Sequence, residues 1–320
     1  MPRQAVLLLA HGTPETVEQI PEYLRNVVSG RPLSPQVIEE IQHRYSCIGK
    51  SPLTEITFQQ ARLLEAELAA AGTPLPVYVG MRNWRPYIPE VVKQMRADGI
   101  EAAAVICMAP QNSRTSVGLY RRAVEAEAGG LRIDFTEAWA RHPLLADAFA
   151  ERLRPAWEKL SGEAGHPVPV LFTAHSVPLR TVQPPAEAES GPRLWPGQGA
   201  DPYAEEARHT AELVAARIPE LPRWWFAFQS QGASGGPWLG PSVEETLEQI
   251  AAAGAHDLIL QPIGFLCDHV EILYDVDKLF RKKSAALGIR LERSDSLNAS
   301  PTLARALADL AQQSIARLRG

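Results

Sequence analysis

Two histidines stand at the ends of matching apolar runs. Leu7–Pro14 reads LLLAHGTP and Leu171–Pro178 reads LFTAHSVP, so His11 and His175 each follow an alanine and precede a proline by three positions. They lie 164 residues apart, about half of the 320-residue chain. Further apolar runs recur in the same order, Val77–Met81 against Trp225–Gln229 and Ala103–Pro110 against Asp257–Pro262. In open parallel sheets ligands bind beyond the carboxyl ends of the strands, so a duplicated α/β unit would place both histidines at matching strand ends facing one cleft. Imidazole there can act as a base or bind a borderline divalent metal. A satisfied core histidine would look the same in sequence.

The densest polar cluster is Gly264–Asp277, GFLCDHVEILYDVD, directly after the apolar run Leu258–Ile263. Asp268 is placed to N-cap the helix that this pattern predicts. Glu271 and Asp275, four apart, share a face, and Ile272, Val276 and Leu279 form the apolar stripe. Three acids with no Lys or Arg between them are expected to repel one another and raise their own pKa values. A cation or a moving proton would relieve that cost. A capped, solvated helix would show the same spacing; what favours chemistry is the position in the half that also offers His175. The stretch that matches it in the first half, Pro110–Arg122, is basic and polar. One half is thus cationic and the other anionic, which would suit a flat ligand with acidic edges in the first and a metal delivered from the second.

Other motifs fail. Gly12 and the Gly232–Gly240 region match neither dinucleotide nor P-loop patterns, and no G-x-S-x-G elbow exists. Trp84–Tyr87 and Trp238–Pro241 put aromatic rings near loops, where core packing is the ordinary explanation.

The elements that must position these groups read as strands alternating with helices. Strands are expected at Ala5–Ala10, Val77–Met81, Ala103–Ala109, Leu131–Phe135, Val168–Thr173, Trp224–Phe228, Leu258–Ile263 and Ile289–Glu292. Helices are expected at Gln59–Ala71, Pro89–Ala97, Val117–Glu127, Leu144–Leu160, Tyr203–Ala216, Val243–Ala253, His269–Lys283 and Pro301–Leu318. The fold class is therefore α/β: two similar Rossmann-like lobes, each a parallel sheet flanked by helices, with a cleft between. Residues 1–142 form the first lobe, with an insertion over 16–51 that could cover the cleft, and residues 143–320 form the second. Val182–Asp201, rich in Pro, Gly and Ala, reads as an exposed loop where lids are found.

Bulk properties limit the function classes. Net charge is −5, which speaks against a nucleic-acid partner. Residues 1–122 carry a net +2 and the remainder −7, a weak lean of the first half toward anions. Cys47, Cys107 and Cys267 have no C-x-x-C spacing, so neither a disulfide framework nor a zinc site is readable, as expected in a reducing cytoplasm. Met1–Leu9 reads as a first strand rather than a signal segment. No run approaches the ~20 apolar residues that span a membrane; peripheral contact stays open.

Together these residues resemble the ferrochelatases, enzymes that insert Fe²⁺ into a porphyrin, over nearly the whole chain. The resemblance rests on Ala174-His175-Ser176-Val177-Pro178, on Gln229-Ser-Gln-Gly with Pro237-Trp-Leu-Gly-Pro241, and on the Gly264–Asp277 segment position for position. It implies that His175 and Glu271 form the iron site and that Asp275 continues an acidic relay. In the first lobe, Gly12-Thr-Pro14, His43–Leu53 and Ser116–Tyr120 are more similar to the coproporphyrin III type than to the protoporphyrin IX type. On those matches Arg44, Tyr45, Ser51 and Tyr120 would contact the tetrapyrrole and its carboxylates, with Arg82 at a basic position nearby.

The chain departs from that pattern in places. His11 stands where the subgroup commonly has a tyrosine, on the macrocycle face away from His175, and imidazole is itself a good iron ligand. Val28 replaces an arginine, for which Arg31 could substitute, and Leu279 replaces an acid. No cysteine follows Cys267, so no iron–sulfur cluster is expected, and no tightly bound cofactor; iron is a substrate. The partners are then the porphyrin and Fe²⁺, and the chain is expected to be a monomer. A protoporphyrin ferrochelatase is the nearest rival. A non-catalytic tetrapyrrole or haem carrier would have no use for a proton relay, and a bilobed periplasmic binding protein would need a signal segment.

Overall fold

The apolar runs become strands because each is short, bounded by turn residues and covered by helices on both faces, the setting of a parallel sheet. The computed structural model describes residues 3–182, 201–231 and 237–319, and the chain forms two compact units. The first contains strands β1 (Gln4–Ala10), β2 (Val77–Met81), β3 (Ala102–Cys107) and β4 (Arg132–Thr136), ordered β2-β1-β3-β4. The second contains β5 (Val170–His175), β6 (Trp224–Gln229), β7 (Asp257–Pro262) and β8 (Arg290–Arg293), ordered β6-β5-β7-β8. All ladders are parallel. β5 thus takes the place of β1, and the sequence repeat is a repeat of topology. It extends to loop detail: Met81 N donates to Pro86 O at 2.7 Å, and Phe228 N donates to Pro241 O at 2.8 Å.

Between β1 and β2 the first unit carries α1 (Ile20–Val27), α2 (Pro35–Ile48) and α3 (Leu53–Ala70). Ser34 caps α2 through its hydroxyl, which accepts from Val37 N, and α2 stops at Gly49 in a positive-φ conformation. Crossovers α4 (Ile88–Ala97) and α5 (Val117–Glu125) follow β2 and β3. Their buried faces (Val92 and Met95; Val117, Tyr120 and Val124) close over Leu7, Leu9 and Val105. In the second unit α6 (Pro143–Ala164) leads into β5, the single turn α7 (Leu179–Val182) follows it, and α8 (Tyr203–Ala215) and α9 (Val243–Ala252) flank β6. A π-helix, Glu271–Phe280, then follows β7 and runs into α10 (Arg281–Ala286). Leu247, Ile250, Ile272, Val276 and Phe280 close over Leu171, Leu258 and Leu260. The Pro/Gly-rich segment read as a lid lies outside the described residues at 183–200, as does Gly232.

The expected domain boundary needs two corrections. The units meet in sequence at Trp139 and Ala140, near the expected 142/143, but residues 111–113 join the second unit and residues 298–320 do not stay with the second lobe. The C-terminal helix, Pro301–Arg319, packs on α3, β3 and β4 of the first unit. Leu303, Leu307, Ala311 and Ile315 are buried there, and Arg317 clamps Asp134 at 2.7 Å. An amphipathic helix goes where an apolar surface is left uncovered, and chain order does not decide that. No helix among the described residues is long and apolar enough to cross a membrane.

Truncating Leu307 to alanine removes a fully buried side chain and should destabilise the first unit by about 2–5 kcal/mol. A urea midpoint unchanged from wild type would show that this helix is not part of that core.

Candidate active site

His175 is the last residue of β5, and the neighbouring strand end holds it in place. Its carbonyl accepts from the Tyr203 hydroxyl at 2.8 Å, and the next residue, Ser176, donates its N–H to Gln229 O at 2.7 Å. The chain leaving β7 crosses the same edge at Gly264. A Cβ on Gly264 would sit 3.0 Å from both Cα and Cβ of Ala174 and 3.3 Å from His175 N, so the approach requires the missing side chain. Past that point Phe265 packs edge-on to His175 and at 4.3 Å from the His269 ring, and the π-helix begins at Glu271.

Here the imidazole and the carboxylate named from sequence meet. His175 Nε2 lies 3.3 Å from Glu271 Oε1, with the two side chains 31% and 29% exposed; the pair is sheltered but reachable. His269, which the sequence reading passed over, lies 3.5 Å from Glu271 Oε2, and its other nitrogen is 3.1 Å from Cys267 O. That carbonyl can only accept, so Nδ1 carries a proton. Burial opposes charge on Glu271, but His175, followed by His269, outweighs it and holds the carboxylate well below its ordinary range. Burial also works against a charged His175; the Glu271 charge and hydrogen bond overcome it and raise the imidazole above 6.5. The expectation that the acids raise one another's pKa is therefore corrected for Glu271, whose two histidines were not counted.

The rest of the acidic cluster divides. Asp275 is buried and accepts from Ser230 Oγ at 2.5 Å; Ser230 is in turn 3.4 Å from Gln229 Nε2. Asp268, expected as a helix cap, bonds Ser296 Oγ at 2.7 Å and Arg293 Nη1 at 3.2 Å. Arg293 also grips Asp277 with both Nε (2.7 Å) and Nη2 (3.0 Å). The missing cation comes from β8, where nothing in local sequence marks it. The apolar stripe is corrected as well: Leu279 is 41% exposed and Phe280 is buried in its stead. The π-helix's i→i+5 bonding widens each turn, so Ile272, Val276 and Phe280, spaced by four, fall in line where an α-helix would favour Leu279.

In the first unit His11 follows β1. Arg82 N and Asn83 N donate to Ala10 O and His11 O, both at 2.9 Å, and Gly12 takes a positive φ with no room for a Cβ beside Met81 and Trp84. His11 Nε2 is 2.9 Å from the Tyr23 hydroxyl and 3.1 Å from Asn83 Nδ2. Tyr23 packs edge-on to Trp84, a buried ring as core packing predicts. Tyr45, buried on α2, shares a 2.9 Å hydrogen bond with Thr13, and Arg44 pairs with Glu40. The Ser51 hydroxyl is buried without a hydrogen-bond partner among the described residues. Arg82 lies over the Tyr120 ring at 5.5 Å and donates to Thr115 O; burial pushes the Tyr120 hydroxyl pKa upward. Arg31 is exposed and donates to Val28 O. Local sequence offered no signal for Tyr23 or Asn83, since their contacts depend on how the 16–51 insertion folds back.

Two outcomes follow for the second unit. Replacing Gly264 by alanine should cost about 1–3 kcal/mol and loosen the His175–Glu271 contact; an alanine variant of wild-type stability would deny the close approach. The pair also has a pH window. Its contribution is complete below 6.5 for His175 and above 4.5 for Glu271. It fades as pH rises through the raised histidine value or falls through the lowered carboxylate value. In Glu271→Gln the His175 pKa should fall, followed by NMR of the imidazole Hε1; no downward shift would mean that the two groups are not coupled.

The ferrochelatase family model matches residues 3–315. A ferrochelatase from Acidobacterium capsulatum is 60% identical over 99% of this chain and 96% of its own. A coproporphyrin III ferrochelatase from Mycolicibacterium vanbaalenii is 35% identical over 96% and 88%. Among solved structures, a cobalt complex of the sirohydrochlorin chelatase SirB from Bacillus subtilis subspecies spizizenii aligns with a TM-score of 0.58, at 12% identity, over 99% of this chain and 97% of that one. At that identity the likeness concerns the fold alone.

Proposed function

The chain belongs to the ferrochelatase family, which inserts iron into porphyrins, and from that premise we propose that its porphyrin is coproporphyrin III and that His175 and Glu271 receive the ferrous ion. The observation that carries the metal assignment is the His175–Glu271 contact at 3.3 Å, about 30% exposed on each side. One nitrogen and one carboxylate oxygen suit a borderline divalent cation. The pair offers a partial coordination shell, which suits an ion that has to be passed on.

Insertion replaces two pyrrole protons by Fe²⁺. At rest a proton on His175 is stabilised by Glu271. An approaching cation competes for the same two atoms, because a ligating imidazole must be neutral, so metal arrival and proton release are linked. Glu271 draws the cation in and His175 alternates between holding a proton and offering its Nε2 lone pair. His269 keeps the carboxylate aimed from behind. Asp275, hydrogen-bonded to Ser230, gives released protons a second acceptor. Binding energy from the porphyrin's carboxylates would offset the cost of bending the ring toward the metal.

What supports a four-carboxylate substrate is the chemistry of the first unit together with the relatives named for coproporphyrin III. Among the described residues the buried Ser51 hydroxyl lacks a partner, and Arg31 and Arg82 are hydrogen-bonded only to neutral oxygens. His11, Arg31, Arg44, Tyr45, Ser51, Arg82 and Tyr120 are assigned to holding the tetrapyrrole.

Anaerobic Fe²⁺ insertion should run faster on coproporphyrin III than on protoporphyrin IX, and the reverse preference would sink the substrate assignment. His175→Ala and Glu271→Gln should each lower the rate by at least about 100-fold. Near-wild-type turnover in folded protein would remove the pair from the reaction.

A further inference from the structure

Arg25, in the last turn of α1, does not figure among the groups assigned so far. Together with Ser29, Gly30, Arg82 and Tyr87 it lines a pocket of about 450 Å³ in the first unit. Among the described residues no Asp or Glu lines it, and both arginines donate to neutral oxygens. Two guanidiniums facing one pocket without a counter-ion raise the local potential for an anion.

The two cations are held ready. Arg82 is fixed by Nε on Asn83 Oδ1 (3.3 Å), Nη1 on Thr115 O (3.1 Å) and the Tyr120 ring beneath it, which leaves Nη2 to donate. Arg25 is tethered through Nε to Pro21 O at 3.3 Å, which leaves both terminal nitrogens. Asn26 Nδ2 donates to the Tyr87 oxygen at 3.1 Å, so the Tyr87 hydroxyl hydrogen is available as a further donor. The α1 end is shaped for this: Ser29 and Gly30 both take left-handed conformations, and Gly30 N closes on Arg25 O at 2.8 Å. A non-glycine residue in that region is uncommon and gathers at ligand-binding turns.

The pocket also adjoins the His11 site. Asn26 Nδ2 donates to Asn83 O at 3.1 Å, and the Asn83 amide reaches the His11 ring, so one wall serves both. An anion here would hang from whatever lies against His11. We infer that Arg25 and Arg82 form a receptor for one carboxylate arm of the tetrapyrrole, with Arg25 as a specificity residue of this chain. The inference rests on the porphyrin reading above. Arg25 lines this pocket and Arg31 does not, so the receptor is additional to the contact assigned to Arg31.

The test is steady-state insertion by Arg25→Ala and Arg25→Lys in the full chain, with inorganic phosphate as a free-anion probe. Arg25→Ala should raise KM for coproporphyrin III about tenfold with kcat within about twofold, the mark of a lost binding contact. Arg25→Lys should recover part of it, since a point charge survives but the bidentate fork does not. A KM change under twofold overturns the receptor. So does phosphate that raises the thermal midpoint of wild type but not of Arg25→Ala while porphyrin KM stays put, because the occupant is then a free anion. Failure of the substrate reading is separable: it appears in wild type as preference for protoporphyrin IX, and Arg25→Ala kinetics on that porphyrin then decide the receptor alone.

Discussion

A strand end and a loop that pass within contact distance, with no side chain between them, set the geometry on which the second unit depends. Gly264 lies against Ala174 where any Cβ would crowd backbone. Because the β7 connection can run that close to the tip of β5, the residues that follow it arrive beside His175. Glu271 then pairs with His175 across 3.3 Å, and each group takes the charge that burial alone would deny it. Larger spacing would let water between the two and weaken the interaction; deeper burial would raise the cost of holding both charges.

The two units share a strand order and even an edge-strand hydrogen bond to a proline carbonyl, yet their chemistry has separated. Beyond β1 the histidine meets a phenol and an amide; beyond β5 it meets a carboxylate. The helix following β3 is basic at its surface, with Arg121 and Arg122, whereas the one following β7 is acidic. A common scaffold supplies equivalent strand ends, and the side chains placed there differ in charge and in hydrogen-bonding chemistry.

Much of this was legible in the chain. Val77–Met81 forms a strand over just those residues, because a short apolar run between turn residues has few alternatives. The Glu271–Asp275 spacing and the His175 strand were readable for the same local reason. Arg293 was not: it reaches Asp268 and Asp277 from another strand, and no periodicity reports a contact of that range. An α-helical period puts Leu279 on the buried stripe, whereas the π-helix turns it outward and buries Phe280.

By itself, then, the amino-acid order determined which segments are strands and helices, that the unit is duplicated, and that a strand-end histidine and a run of acids fall in the same half. Those follow from periodicity, turn residues and side-chain type, all of which act over a few positions. Tertiary structure alone decided that Glu271 is flanked by two imidazoles, that two of its neighbouring acids are neutralised by Arg293, and that the C-terminal helix returns to the first sheet. Each of these depends on distances between residues remote in sequence, and on which apolar surface is left uncovered once the sheets have formed.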